Sequence, residues 1–220
     1  MKVLVVAPHP DDEILGCGAQ IKKHISKGHS VNVLVMTRGS SKCYSDEQIQ
    51  IVRSEALKAH EYLGVEKTIF KNFNAPELDS YPISEIANEI LSVIKMLGCE
   101  LMYIPHRGDI HNDHYIIYKA CLVAGRPVSS NSIKEIRVYE TVSETEWAAP
   151  YGDDAFIPHL FSDVTEYFSA KLEAMSYFKS QLRDFPNPRS LQNLEALSKY
   201  RGSTVGVERA EAFMLVRRIE

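Results

Sequence analysis

The run Val3-Leu4-Val5-Val6-Ala7 is apolar at every position, the pattern of a strand buried on both faces rather than of a hairpin strand with one wet side. A helical stretch over 13–27 follows, with Ile14, Leu15, Ala19 and Ile21 apolar and Gly28 as its stop, and then a second buried run, Val31-Asn32-Val33-Leu34-Val35-Met36. Two doubly buried strands joined through a helix fit a right-handed βαβ unit. The alternation continues with a helix over 46–63, a strand over 67–70, a helix over 83–97 and a strand over 101–104. Beyond it come a helix over 111–124, strands over 133–139 and around 156–161, helices over 164–182 and 190–200, and an apolar segment over 212–216. This order predicts an α/β fold, a doubly wound and mostly parallel sheet with helices on both faces.

At about 150 residues per domain, 220 residues read as a single domain, 1–220. The segment Asp184-Phe185-Pro186-Asn187-Pro188-Arg189 is the best linker, but its flanks are too short for a second domain. A folded chain of this size is expected to expose roughly 10,000 Å². The net charge of −4 gives no broad attraction to nucleic acid or to anionic lipid. Four cysteines without a Cys-x-x-Cys pair suggest neither a disulfide framework nor a thiolate zinc site, and all four read as buried thiols. The apolar start runs straight into Pro8-His9-Pro10 and is too short for a signal peptide, while no run reaches membrane-spanning length, so a cytoplasmic protein is the expectation.

In open α/β sheets, ligands bind beyond the carboxyl ends of the strands, where strand order reverses. Two chemically dense segments fall at such ends. Pro8-His9-Pro10-Asp11-Asp12-Glu13 follows strand one, and Pro105-His106-Arg107-Gly108-Asp109-Ile110-His111-Asn112-Asp113-His114 follows strand four. If those strands are neighbours, both segments meet in one crevice. Three adjacent carboxylates resist burial without a cation or strong donors, although Asp11 or Asp12 could simply cap the next helix and Glu13 favour its positive end. Imidazole with carboxylate suits zinc or another first-row divalent ion, and three ligands with one open position is the layout of a catalytic site. Helical spacing lets His9 and Asp12 point one way and Asp11 another, while His111 and His114 share a face, so spacing leaves open whether one or both bind the metal. Gly16-Cys17-Gly18 lacks the third glycine of a dinucleotide fingerprint, and neither a Walker loop nor a Gly-x-Ser-x-Gly elbow occurs.

Ala7-Pro8-His9-Pro10-Asp11-Asp12-Glu13 and His111-Asn112-Asp113-His114 together resemble the two marks of the PIG-L/LmbE-like deacetylases, the family of N-acetylglucosaminyl-phosphatidylinositol de-N-acetylases. Weaker similarity runs through Arg53-Ser54-Glu55-Ala56, Leu63-Gly64-Val65, Pro188-Arg189-Ser190 and 201–213. The resemblance implies a Rossmann-like three-layer sandwich and a metal-dependent, usually zinc, hydrolase that removes acetyl from an N-acetylglucosamine-type amide. It implies His9, Asp12 and His114 as metal ligands and Asp11 as general base. His111 becomes the acid and oxyanion stabiliser, oriented by Asp113, which should favour its imidazolium. Arg53 is a substrate contact by resemblance, or else a helix-surface salt bridge with Glu55. The family often shows Thr-x-Gly-Glu after strand two, where this chain has Thr37-Arg38-Gly39-Ser40. A substrate-side carboxylate is missing there, and Arg38 would favour an anionic group. The implied partner is a small N-acetylated sugar or sugar conjugate, and relatives often form homo-oligomers. His24, His29 and His60 read as helix or turn surface, and His106 and His159 have no assigned role. Two rivals stand beside this reading: a metal-dependent phosphoesterase, which commonly needs two metals, and a non-catalytic metal-containing binding protein.

Overall fold

Alternate residues of β1 (Lys2–Ala7) feed two different cores, which is why the strand tolerates no polar residue after Lys2: Val3, Val5 and Ala7 face one side, Leu4 and Val6 the other. The computed structural model describes residues 1–128 and 133–220. The further strands are β2 (Ser30–Gly39), β3 (Lys67–Ala75), β4 (Leu101–Pro105), β5 (Glu135–Tyr139), β6 (Leu160–Asp163) and β7 (Ala210–Arg218). They form one seven-stranded sheet in the order β3-β2-β1-β4-β5-β7-β6. β1 to β5 are parallel, and β7 runs antiparallel between β5 and β6.

Helices α1 (Asp12–Ser26), α2 (Asp46–Leu63), α5 (Phe168–Ser176) and α6 (Leu191–Ser203) cover the first face, and α3 (Ile83–Leu97) and α4 (Asn112–Ala124) the second. The expected three-layer α/β sandwich is the fold observed. Its surface of 10,221 Å² agrees with the scaling. Gly64 and Gly98 end α2 and α3 with φ of 94° and 65°, a left-handed backbone that glycine adopts without strain. Among the described residues, no helix is long and apolar enough to cross a membrane.

The helix expected over 164–182 is confined to Phe168–Ser176. It closes in i→i−3 turns, the Tyr177 and Phe178 amides donating to the Ala174 and Met175 carbonyls at 3.3 and 3.0 Å, and beyond them Glu55 of α2 accepts from the Ser180 amide at 3.0 Å and from its hydroxyl. The last apolar segment is the nine-residue antiparallel strand β7, and the strand expected at 156–161 is β6, shifted toward the C-terminus. Cys17, Cys99 and Cys121 are buried as expected, but Cys43 is exposed.

Gly16 and Gly18 are small for packing, not for a nucleotide. A Cβ on Gly16 would lie 2.3 Å from Cδ2 of Tyr139, and one on Gly18 2.9 Å from Cγ of Lys171. The Tyr139 ring is fixed, since its hydroxyl donates to the Val6 carbonyl at 2.9 Å. Gly16→Ala is therefore expected to destabilise the fold by about 1–3 kcal/mol in urea unfolding.

His24 is a core residue, not surface. It is buried, with Nε2 2.9 Å from both Gln20 Nε2 and the Tyr103 hydroxyl and Nδ1 2.9 Å from His29 Nδ1. Burial, with the nearby His29 adding, pushes its pKa down from 6.5 to about 3. The unfolded chain thus takes up a proton near pH 6.5 that the folded chain refuses, so stability is lost as pH falls from 6.5 toward 3. By pH 5 the loss is about 2 kcal/mol. Urea titrations at pH 7 and pH 5 should show a smaller gap between the two conditions in His24→Gln than in the unsubstituted protein.

Candidate active site

The register of β1 on β4, Val3 opposite Leu101 and Val5 opposite Tyr103, brings the two dense segments to the same end of adjacent strands. After Ala7 the chain is held to β2 by Thr37, whose amide and hydroxyl donate to the Pro8 carbonyl at 3.1 and 2.8 Å. Asp11 then adopts φ 118°, and its carbonyl accepts from the amides of Ile14 and Leu15 to start α1. Its carboxylate makes no capping bond to the helix. Oδ2 accepts instead from Nη1 of Arg189 at 3.0 Å. Asp12 turns the other way: Oδ2 accepts from the His9 amide at 2.8 Å and lies 3.3 Å from both His9 Nδ1 and His114 Nε2. The divergence of Asp11 from His9 and Asp12 that the spacing allowed is thus present.

His114 is fully buried, and its Nδ1 donates to Asp109 Oδ2 at 2.8 Å, while Asp109 Oδ1 accepts from the Thr145 hydroxyl at 2.6 Å. That bond places a ring hydrogen on Nδ1 and turns Nε2 toward Asp12, the arrangement that orients histidines toward metals. His114 Nε2 and Asp12 Oδ1 are both buried without a hydrogen-bond partner. One ligand atom from each of His9, Asp12 and His114 lies within 4.8 Å of the others. Two unpartnered buried polar atoms within a nitrogen and oxygen donor set are what a divalent cation satisfies, so these residues fit a metal.

His111 is the N-cap of α4, and its Nδ1 accepts from the Asp113 amide at 3.2 Å. Here the geometry corrects an expectation. The Asp113 carboxylate is 4.0 Å from His111 Nδ1 but 3.1 Å from His9 Nε2, and its other oxygen accepts from the Leu78 amide at 3.2 Å. Asp113 touches His111 through its backbone and orients His9 with its side chain. Nor is the His111 imidazolium favoured: burial, and then the proximity of His9, lower its pKa to about 4. With Nδ1 accepting, the neutral ring carries its hydrogen on Nε2. Asp11 is shifted the other way, pushed up to about 7 by burial although Arg189 pulls it down.

His9, Asp11, His111, Glu144 and Arg189 share the wall of a cavity of about 300 Å³ whose other side includes Arg38, Tyr44 and Arg53. Arg38 is at the rim, paired with the exposed Asp46. Arg53 makes no bridge to Glu55. Its Nη2 donates to the Lys71 carbonyl at 2.6 Å and to Asn72 at 3.0 Å, with the guanidinium 4.9 Å from the Phe70 ring centre. The residues that motif reasoning left without a role are Arg189, Asp109 and Thr145. Arg189 also donates to Ser143 and Gln181, at 2.8 and 3.1 Å, and so ties the β5–β6 and α5–α6 connections to Asp11. Its sequence signals are a lone arginine in a proline-rich stretch and the weaker Pro188-Arg189-Ser190 similarity. His106 is buried and donates to the Asp154 carbonyl at 2.8 Å, a structural bond outside the cavity.

Residues 4–124 match the family described as PIG-L, GlcNAc-PI de-N-acetylase. The chain belongs to the PIG-L family. Among its PIG-L relatives, the uncharacterized deacetylase YaiS of Escherichia coli K12 is 33% identical over 184 residues, covering 81% of this chain and 90% of that protein. A diacetylchitobiose deacetylase of Thermococcus kodakarensis is 28% identical over 239 residues, covering 98% and 83%. The N,N'-diacetylchitobiose deacetylase of Pyrococcus horikoshii, solved with an inhibitor, superposes with a TM-score of 0.78 at 24% identity over 98% of this chain and 83% of that one, and shares the fold.

If Asp109 fixes the tautomer and aim of His114, Asp109→Ala should weaken divalent-ion affinity by about 10–100-fold. Arg38→Ala, at the far rim, should leave it unchanged. Competition against a chromophoric chelator measures both.

Proposed function

We propose that this chain, as one domain over 1–220, is a zinc-dependent de-N-acetylase of an N-acetylated amino sugar or its conjugate. The observation that supports this most is that a metal-fitting trio, His9, Asp12 and His114, reaches the cavity through His9, on the same wall as two further groups, Asp11 and His111. A cation held there supplies Lewis acidity, polarising an amide carbonyl and making a water more acidic. The chain's own residues do the rest. Asp11, pinned by Arg189 on one carboxylate oxygen, accepts the proton of the attacking water. His111, neutral with hydrogen on Nε2, donates a hydrogen bond to the carbonyl oxygen as charge develops, and Asp11 hands the proton it took from the water to the departing amine. The cavity volume is at the lower end of ligand pockets, which run from about 300 Å³, and suits one hexosamine unit with its substituent at the open rim. The relatives named for chitobiose support the sugar assignment. A two-metal phosphoesterase finds less support, because the second possible ligand group, His9, His111 and Asp113, takes His9 from the first.

An amine-release screen over N-acetylated sugars with the zinc-loaded protein tests this reading. Asp11→Asn is expected to lower kcat by about 10²–10⁴-fold and His111→Ala by about 10²–10³-fold, each with metal content retained. Asp12→Asn and His114→Ala should lose metal and activity together. Metal loss from His111→Ala as complete as from His114→Ala would make His111 a ligand and overturn its role.

A further inference from the structure

The third acidic residue of the strand-one motif, Glu13, is fully buried, does not line the cavity, and has no part in the chemistry above. Both its oxygens are nevertheless committed. Oε2 accepts from the Asp11 amide at 3.2 Å, and Oε1 lies 2.9 Å from Nε2 of His60 at the end of α2. His60, only 1% exposed rather than on the surface as its sequence setting implied, continues the chain through Nδ1, 2.8 Å from the Thr68 hydroxyl on β3. A neutral imidazole satisfies every link, with Nε2–H donating to Glu13 and the Thr68 hydroxyl donating to Nδ1.

This chain ends on Asp11, which with Ser143 is one of two non-glycine residues at positive φ among the described residues. Asp11 has φ 118°, a conformation that residues with a Cβ adopt only when their surroundings enforce it, and such outliers gather at functional sites. Three bonds hold it: the carbonyl to the first turn of α1, the carboxylate to Arg189, and the amide to Glu13. Without an acceptor at Glu13 the inward-pointing amide would be buried and unpaired, and the peptide would relax toward negative φ, swinging the carboxylate off the cavity wall.

We propose that Glu13, His60 and Thr68 form a positioning chain that holds Asp11 in its strained conformation, so that His60, remote from the cavity, sets the aim of the base. The inference rests on Asp11 being the base, and its test separates the two ideas. His60→Phe removes the donor while keeping ring bulk. It should lower kcat by about 10–100-fold, the range of lost supporting hydrogen bonds at active sites, with KM and zinc affinity within about twofold of the unsubstituted protein. His60→Gln keeps a donor toward Glu13 and should recover most of the loss. In an Asp11→Asn background, His60→Phe should cost nothing further, because groups acting through one another are not additive. Hydrogen exchange of the Asp11 amide, slow in the unsubstituted protein, should speed up in His60→Phe. If His60→Phe fails to fold, Thr68→Val interrupts the same chain with a near-isostere and should show the same pattern at smaller amplitude. Unchanged kcat and exchange in a folded His60→Phe or Thr68→Val would overturn the positioning role, as would loss of zinc or failure of His60→Gln to recover activity. An unsubstituted protein that releases no amine from any sugar would instead count against the deacetylase reading, and the exchange experiment would still decide whether His60 holds Asp11.

Discussion

β1 and β4 lie side by side and point the same way, and the site depends on that pairing more than on any other. In a parallel sheet the loops leaving two neighbouring strands emerge at the same edge, and here one helix departs to each face, α1 on one side and α4 on the other. The crevice between them is the place where strand order reverses. His9 and Asp12 come from the first loop and His114 from the second, 102 residues beyond Asp12, yet the three meet within 4.8 Å. Breaking the strand pair would separate the imidazole of His114 from the carboxylate of Asp12 with no local contact to restore it.

Concentrating charge in a buried crevice has a desolvation cost, and each carboxylate there meets it with its own set of partners. Asp12 faces His9 and His114, Asp113 faces His9 and the Leu78 amide, and Asp109 lies between His114 and Thr145. Glu13 is bound by His60 and the Asp11 amide, and Asp11 by Arg189. The site is therefore two layers deep. The inner layer presents donor atoms to the cavity, and the outer layer consists of bonds that fix which way those atoms point, reaching α2 through His60 and the segment before α6 through Arg189.

The inner layer was legible in the sequence because its signals are local. An apolar strand followed by His-Pro-Asp-Asp places histidine and aspartate three residues apart at a helix start, and the second cluster has the same relation to β4. The outer layer was not, because its members are ordinary residues whose meaning lies in long-range contacts. His60 sits in a helix whose spacing reads as surface, and only the approach of Glu13 and Thr68 makes it core. Asp113 is adjacent to His111 in sequence, yet its side chain leaves for His9 while its amide stays. The helix expected over 164–182 stops at Ser176, and Ser180 beyond it bonds to Glu55 of another helix. Local pattern dictated the elements and the candidate ligands. Tertiary hydrogen bonds decided which carboxylate serves which imidazole.

The last third of the chain belongs to the frame of the site as much as to its cover. Glu211 of β7 accepts from the amides of Ala19 and Gln20 at 3.2 and 2.6 Å, in the interior of α1, and Lys171 of α5 donates to the Leu15 carbonyl and to Glu211, both at 2.7 Å. Groups that usually serve only the helix ladder are bound here by a buried ion pair from α5 and β7. Gly16 and Gly18 are small so that Tyr139 and Lys171 can come that close. Since α1 carries Asp12 and Glu13 in its first turn, the antiparallel edge of the sheet fixes the helix that presents the site. Arg189, entering from the same third of the chain, then fixes Asp11 directly. A chain ended before β7 would retain every candidate metal ligand in its sequence, but α1 would lose the bonds that hold its middle in place.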